Sequence, residues 1–219
     1  MRIRNCFAAL LLLLALGACD SAGERFTVRG NISDPLAEEP GSMVYLSGRN
    51  GPVDSARVRN GAFSFSGSID KTKLYTVTLR FPGRSEWDER FTASFVPDAE
   101  TISIDLDYPV TVTGSPLTEA INRYQEQVVN LYYEPGTDVG NFELNGEQEV
   151  ADSIRNEQML KIVELSKATY MANTDNALGL QALSLLISEL DREELEALVE
   201  LGDAFIREDQ QIKRLIESK

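Results

Sequence analysis

Residues 58–63 read VRNGAF, and this stretch predicts a β-hairpin. Asn60-Gly61 is a favoured two-residue hairpin turn, because both of its positions require a positive φ that Asn and Gly adopt readily. With these two residues as the loop, the flanking chain pairs in antiparallel register and places apolar side chains on one face. The apolar pairs on this face are Val58 with Phe63 and Ala56 with Phe65. The stretch therefore predicts an antiparallel sheet with one buried face.

Short alternating segments continue the same pattern after this turn. YTVTLRF (75–81), FTASFV (91–96) and TISIDLD (101–107) alternate apolar and polar residues, as half-buried strands do. About eight such strands, separated by close turn signals, predict an antiparallel β-sandwich or open barrel over residues 25–114, of which we expect the sandwich. The predicted strands are 25–32, 42–47, 53–59, 62–69, 73–81, 90–96, 100–106 and 108–113.

The spacing of apolar residues changes at Gly114-Ser115-Pro116, from the alternation of strands to the spacing of helices. Ser115 is a favoured helix N-cap, Pro116 fits the first turn, and apolar residues then recur at three- and four-residue spacing. Residues 115–219 therefore predict a helical bundle, and the whole chain predicts an α+β fold. The predicted elements are a first helix through Tyr132, a loop at about 134–146 and a second helix at about 147–172. Thr174 or Asp175 is predicted to cap a third helix at about 176–188. Asp191 is predicted to cap a fourth helix, and Asp203 to open the last one.

The 219-residue chain is acidic, with 35 acidic and 21 basic side chains and a formal net charge of −14. Most of the excess acid follows residue 114, so the predicted bundle is an acidic one. A surface of this sign repels phosphate backbones, and nucleic acid is therefore excluded as a class of partner.

The first residues have the order of a secretory signal: a short basic start, an apolar run and small residues before Cys19. LGAC (16–19) resembles the lipobox of bacterial lipoproteins. The resemblance implies a signal peptide at 1–18, a diacylglycerol-modified and acylated Cys19, and a short tether at 19–24. The alternative is an ordinary secretory signal cut near Ala18, which leaves a free thiol at Cys19.

Lipidation implies a location in the cell envelope, with the protein anchored to a bacterial membrane. The outer membrane, with the protein facing the periplasm, is the favoured location. The inner membrane is the alternative, because Asp20 resembles the retention signal of enteric lipoproteins.

Several stretches resemble the uncharacterised β-rich domain and helical region of thioredoxin-like envelope lipoproteins of the thiol-disulfide interchange type. The stretches that carry the resemblance are FTVRGNI (26–32), MVYLSG (43–48), VDSARVRNGAFSFSGSI (53–69), ISIDL (102–106), VTGS (112–115) and ANTDNALGLQAL (172–183). In the redox members a thioredoxin domain with Cys-x-x-Cys follows the helices, whereas the only cysteines here are Cys6 and Cys19. We therefore expect no thiol-disulfide activity.

The sequence offers few candidates for catalysis or metal binding. It contains no histidine, the commonest general base and metal ligand. Ser68 and Lys71 have the Ser-x-x-Lys spacing of penicillin-binding enzymes, but they fall at a predicted strand end without the accompanying motifs. Asp105 and Asp107 predict a solvated strand face rather than a cation site. A polar connector is likewise expected for the oxygen-rich loop that holds Asp138, Asn141, Glu143 and Asn145. We expect no catalytic residue, no bound metal and no cofactor.

Trp87 is the only tryptophan, and Asp88 and Glu89 follow it in a predicted loop. An indole beside carboxylates can stack on a sugar or seat a partner side chain. These three residues are the candidate ligand contacts, and the alternative is a ring that covers the sandwich edge.

The expected function is that of a non-catalytic, membrane-anchored docking or ligand-binding module with an envelope protein as its partner. Two alternatives stay open: a carboxylate-dependent hydrolase that acts on envelope glycans, and a remnant of a thiol-disulfide oxidoreductase that lacks its catalytic domain. A carboxylate pair of glycosidase type is defined only by its separation in three dimensions, so the sequence cannot identify one.

Overall fold

A computed structural model describes residues 24–81, 91–133 and 139–219, and it confirms the α+β fold. Eight strands form the N-terminal part, and one short 3-10 helix, Pro35–Glu38, follows the first of them. The strands are β1 Arg25–Asn31, β2 Met43–Gly48, β3 Gly51–Ala56, β4 Ala62–Ser68, β5 Tyr75–Arg80, β6 Thr92–Phe95, β7 Thr101–Asp105 and β8 Thr111–Thr113.

The strands form two four-stranded sheets that enclose one core. The first sheet has the order β4-β1-β7-β8 and the second has the order β3-β2-β5-β6. All pairs are antiparallel except β1 with β7, which run parallel. Alternate side chains of both sheets, among them Val28, Phe95 and Ile102, are fully buried between them. The predicted sandwich is therefore present, with one parallel pair that the alternation did not reveal.

The VRNGAF stretch makes its turn, but the predicted hairpin around it is wrong. Asn60 and Gly61 have positive φ values of 51° and 70°. Only one bridge, between Arg59 and Ala62, joins the two arms, because β3 belongs to the second sheet and β4 to the first. The chain thus crosses between the sheets here, and Val58 is buried in the shared core without pairing in a ladder.

The C-terminal part contains the predicted helices and one that was not predicted. Ser115 caps the first helix by accepting from Thr118 N, as its sequence indicated. A short helix lies in the segment predicted as a loop, and the last predicted helix is divided at Glu208 and Asp209. The helices are α1 Pro116–Tyr132, α2 Val139–Leu144, α3 Gln148–Met171, α4 Ala177–Glu189, α5 Arg192–Glu200, α6 Ala204–Arg207 and α7 Gln210–Glu217.

The cap of α4 is Asn176, not Thr174 or Asp175 as predicted. The Asn176 Oδ1 atom accepts from Leu178 N at 2.9 Å and from Gly179 N at 3.4 Å. Asp191 caps α5 as predicted, through a hydrogen bond from Glu194 N. Asp203 precedes α6 without a side-chain capping bond. Within the described ranges, none of the helices combines the length and the apolar character that a membrane span requires.

Candidate functional site

The sandwich and the bundle meet at one end of the sandwich, which we call the junction end. It is the end at which β1 begins and β4 finishes, where Ile69 N donates to the Glu24 carbonyl. The two parts keep separate cores: of the strand segment, only Val96 belongs to the helical core. The helices therefore contact the sandwich through their ends rather than along their length.

Three helix N-termini point at the junction end. The first belongs to α1, where Val96 N donates to Thr118 Oγ1 at 2.8 Å and Asp98 accepts from Leu117 N at 2.7 Å. The second belongs to α4, whose Ala177 N donates to the Lys71 carbonyl at 2.8 Å. The positive ends of these helix dipoles favour the carboxylates and carbonyls that face them.

The third N-terminus is that of α7, which is joined to the turn between β2 and β3. The Arg49 guanidinium donates to the Asp209 carboxylate and to Gln211 Oε1. Burial opposes the ionisation of Asp209, but Arg49 and the backbone N–H groups that Asp209 caps outweigh it and lower its pKa. Asp209 therefore stays ionised at neutral pH while it connects the two parts of the fold.

A cleft of about 610 Å³ opens beside the N-termini of α1 and α4 and is the candidate site of the described chain. The loops after β4 and β6 form one wall, and the first turns of α1 and α4 form the other. The cleft is lined by Ile69, Asp70, Lys71, Thr72, Asp98, Leu117, Asp175 and Asn176.

Each carboxylate in this cleft has a partner within the chain. The Lys71 ammonium pairs with Asp175, and this bond lowers the pKa of the Asp175 carboxyl. Burial opposes the ionisation of Asp70, but hydrogen bonds from Thr72 and Lys73 outweigh it and lower its pKa. Asp98 accepts from Ser115 Oγ at 2.7 Å and from Leu117 N. Lys71 and Asp98 thus connect the two halves of the fold, whereas Asp70 stabilises its own loop.

The Asp70 and Asp175 carboxyls lack the raised pKa that the general acid of a glycosidase requires. A general acid needs a raised pKa so that it carries a proton near neutral pH. The carboxyls of Asp70 and Asp175 are shifted in the opposite direction, because their charged forms are hydrogen-bonded.

The remaining candidates from the sequence are dispersed. Ser68 ends β4 as predicted, while the Lys71 ammonium is turned to Asp175 across the cleft. The Asp107 carboxylate accepts from Ser33 N and Ser33 Oγ, and Asp105 accepts from Asp107 N. These two carboxylates therefore fix a turn at the far end of the sandwich.

The oxygen-rich segment is not a connector throughout, because Asn141 and Glu143 lie on α2. Glu143 pairs with Arg155 of α3. Among the described residues, no group of three or more Asp or Glu side chains is arranged to hold a metal ion. Cys19, Trp87, Asp88, Glu89 and Asp138 lie outside the described residues.

Sequence reasoning missed the residues that build the junction. Arg49 and Asp209 are 160 residues apart, and Lys71 and Asp175 are 104 apart, so neither pair has a local signal. Of these residues, only Asp209 has a local signal in the sequence, since an Asp directly before Gln-Gln-Ile has the pattern of a helix N-cap.

Comparison with known proteins gives one match. No curated protein and no solved structure matches the chain. Residues 26–121, which comprise the sandwich and the first turns of α1, match a family model described as a domain of unknown function, DUF4369.

Proposed function

We propose that this protein is a non-catalytic lipoprotein of the bacterial cell envelope that acts as a membrane-anchored docking module for another envelope protein. The observation that carries the proposal is LGAC at residues 16–19, which follows a basic start and an apolar run. One acyl chain binds a membrane only marginally, whereas the several chains of a mature lipoprotein anchor it stably.

The resemblance to the N-terminal region of thioredoxin-like envelope lipoproteins supports this location. The match of residues 26–121 to a domain of unknown function agrees with the coarser part of that resemblance. It assigns no activity, so the functional part of the proposal depends on the chemistry of the chain itself.

The candidate cleft favours docking over hydrolysis. Its carboxylates are engaged with Lys71, with Thr72 and with the first turn of α1. Because these charged groups are already paired within the chain, we assign the cleft a role in holding the sandwich and the bundle together. The large acidic surface of the bundle is then available to a partner, and its charge favours a basic surface on that partner.

The proposal is tested by crosslinking in intact cells. The tagged wild-type protein is crosslinked, purified from membranes and analysed by mass spectrometry, with Cys19→Ala as the matched unanchored control. We expect one stoichiometric envelope protein with the wild type and its loss with Cys19→Ala. Recovery of the same partner with both proteins would contradict the role of the anchor, and recovery of no partner would contradict docking.

A further inference from the structure

The outer face of the first sheet is rich in hydroxyl side chains and carries two exposed arginines, Arg25 and Arg29. Its exposed or half-buried side chains alternate with buried ones along β1, β4, β7 and β8. Eight of them are Ser or Thr, and the charged ones are Arg25, Arg29 and Asp105. We call this the hydroxyl face, and it consists of Arg25, Thr27, Arg29, Asn31, Ala62, Ser64, Ser66, Ser68, Thr101, Ser103, Asp105, Thr111 and Thr113.

The strand register makes this face continuous. Arg25 lies opposite Ser68, Thr27 opposite Ser66 and Arg29 opposite Ser64 across the β1–β4 pair. On the other side of β1, Arg29 lies beside Ser103. Both arginine side chains are exposed, and neither guanidinium forms an ion pair with another residue that the structure describes. The face is thus polar, and two arginines against one aspartate make it locally positive.

The point at which the chain enters the fold constrains the orientation of an anchored protein. Glu24 lies at the junction end, where its carbonyl accepts from Ile69 N. A chain extends at most about 3.4 Å per residue, so the five steps from Cys19 to Glu24 span roughly 17 Å. Glu24 therefore stays within about that distance of the bilayer surface if Cys19 is lipidated, as the proposed function holds.

Neither end-on orientation fits within this distance. The 17 residues of α1 extend about 25 Å at 1.5 Å per residue, so a bundle standing between the sandwich and the membrane would hold Glu24 too far away. The seven residues of β1 extend about 24 Å, so the opposite orientation fails for the same reason. The anchored protein must lie on its side.

The side that faces the membrane follows from the strand that carries the tether. β1 lies inside the first sheet, and the second sheet packs about 10 Å behind it. If the outer face of the second sheet lay on the membrane, the segment from Cys19 to Glu24 would have to pass around the junction end, which the bundle occupies. This route is longer than the one to the outer face of the first sheet. The hydroxyl face lies directly beside the first residue of β1.

We propose that the hydroxyl face rests on the lipid headgroups of the membrane that holds Cys19, with Arg25 and Arg29 donating to lipid phosphates. Arginine suits this contact, because its planar guanidinium can donate two hydrogen bonds to one phosphate. The overall negative charge does not prevent it, since salt screens exposed charges beyond roughly 8 to 10 Å. This inference depends on the proposed anchor, and it leaves the second sheet and the bundle free for a protein partner.

The test uses full-length lipidated protein in vesicles of phosphatidylethanolamine and phosphatidylglycerol that contain a headgroup spin-labelled lipid. A fluorophore is attached at Ser66→Cys on the hydroxyl face or at Ser94→Cys on the outer face of the second sheet, both exposed strand positions. We expect the spin label to quench fluorescence at residue 66 but not at residue 94. Arg25→Gln with Arg29→Gln should weaken that quenching, whereas Arg123→Gln with Arg207→Gln, which removes the same charge from exposed bundle positions, should leave it unchanged.

The outcomes separate this inference from the proposed anchor. Equal quenching at the two positions in a protein that floats with the vesicles overturns the inference and leaves the anchor intact. Unchanged quenching at residue 66 in Arg25→Gln with Arg29→Gln overturns the phosphate contact. A protein without acyl groups that does not float with the vesicles overturns both the anchor and the inference.

Discussion

Gly179→Ala should destabilise the protein by about 3 kcal/mol or more, although Ala is the better helix former by roughly 1 kcal/mol. Gly179 is buried in the first turn of α4, and a Cβ there would overlap the backbone carbonyl of Asn173 at the end of α3. Backbone cannot move aside as a side-chain tip can. The connection between α3 and α4, which contains Asn173, would have to move away from the first turn of α4.

Thermal unfolding followed by circular dichroism checks this result, with Gly48→Ala as the control. A Cβ on Gly48 would lie 3.4 Å from Tyr75 and Val53, an ordinary van der Waals distance. The control should change the free energy of unfolding by no more than about 0.5 kcal/mol, whereas Gly179→Ala should lower the melting temperature by roughly 6 to 12 °C. A Gly179→Ala protein as stable as the wild type would show that the Asn173 carbonyl does not lie this close to the first turn of α4.

Gly30→Ala should cost about 2 to 3 kcal/mol, for a related reason in the sandwich. Gly30 of β1 lies opposite Phe63 of β4, and the Phe63 ring covers the position that a Cβ would take. Phe63 is only 5% exposed, so its ring has little space into which it can move. The same arrangement occurs at the other end of the pair, where the Phe26 ring covers Gly67.

A double-mutant cycle with Phe63→Leu tests the cause of that loss. Leu is smaller than Phe and should leave room for the new methyl group, so the double variant should lose less stability than the sum of the two single variants. We expect a coupling of about 1 kcal/mol, measured by urea denaturation. Strictly additive losses would mean that the ring is not what excludes a side chain at residue 30.

Local signals in the sequence predicted most of the elements. Asn60-Gly61, Ser115 and Asp191 each specify a turn or a cap through bonds within a few residues, and all three are found as predicted. The change of period at Gly114 marked the boundary between the strands and the helices to within two residues.

Strand pairing could not be predicted in the same way. A turn determines the direction of the chain over two residues, but it does not determine which sheet the next strand joins. The arms of the VRNGAF turn separate into different sheets, and β1 pairs in parallel with the distant β7. Both facts depend on how the two sheets pack, which no window of the sequence contains.

The buried face of α3 shows the same limit. Val150 continues the apolar spacing of this helix in the sequence, yet its side chain is exposed, while the polar Gln158 and Ser166 are buried. Ser166 is tolerated there because its hydroxyl donates to the Ile162 carbonyl and bonds with Tyr124 of α1. The junction was unpredictable for a related reason, since Arg49 and Lys71 find their carboxylates more than a hundred residues away.

The acyl anchor on Cys19 is the claim on which both the docking proposal and the membrane orientation depend. It is tested most directly by labelling cells with radioactive palmitate and separating their membranes from the soluble fraction. Wild-type protein should carry the label and remain with the membranes, and Cys19→Ala should be unlabelled and soluble. A Cys19→Ala protein that still carries the label, or a wild-type protein that is unlabelled, would contradict the account.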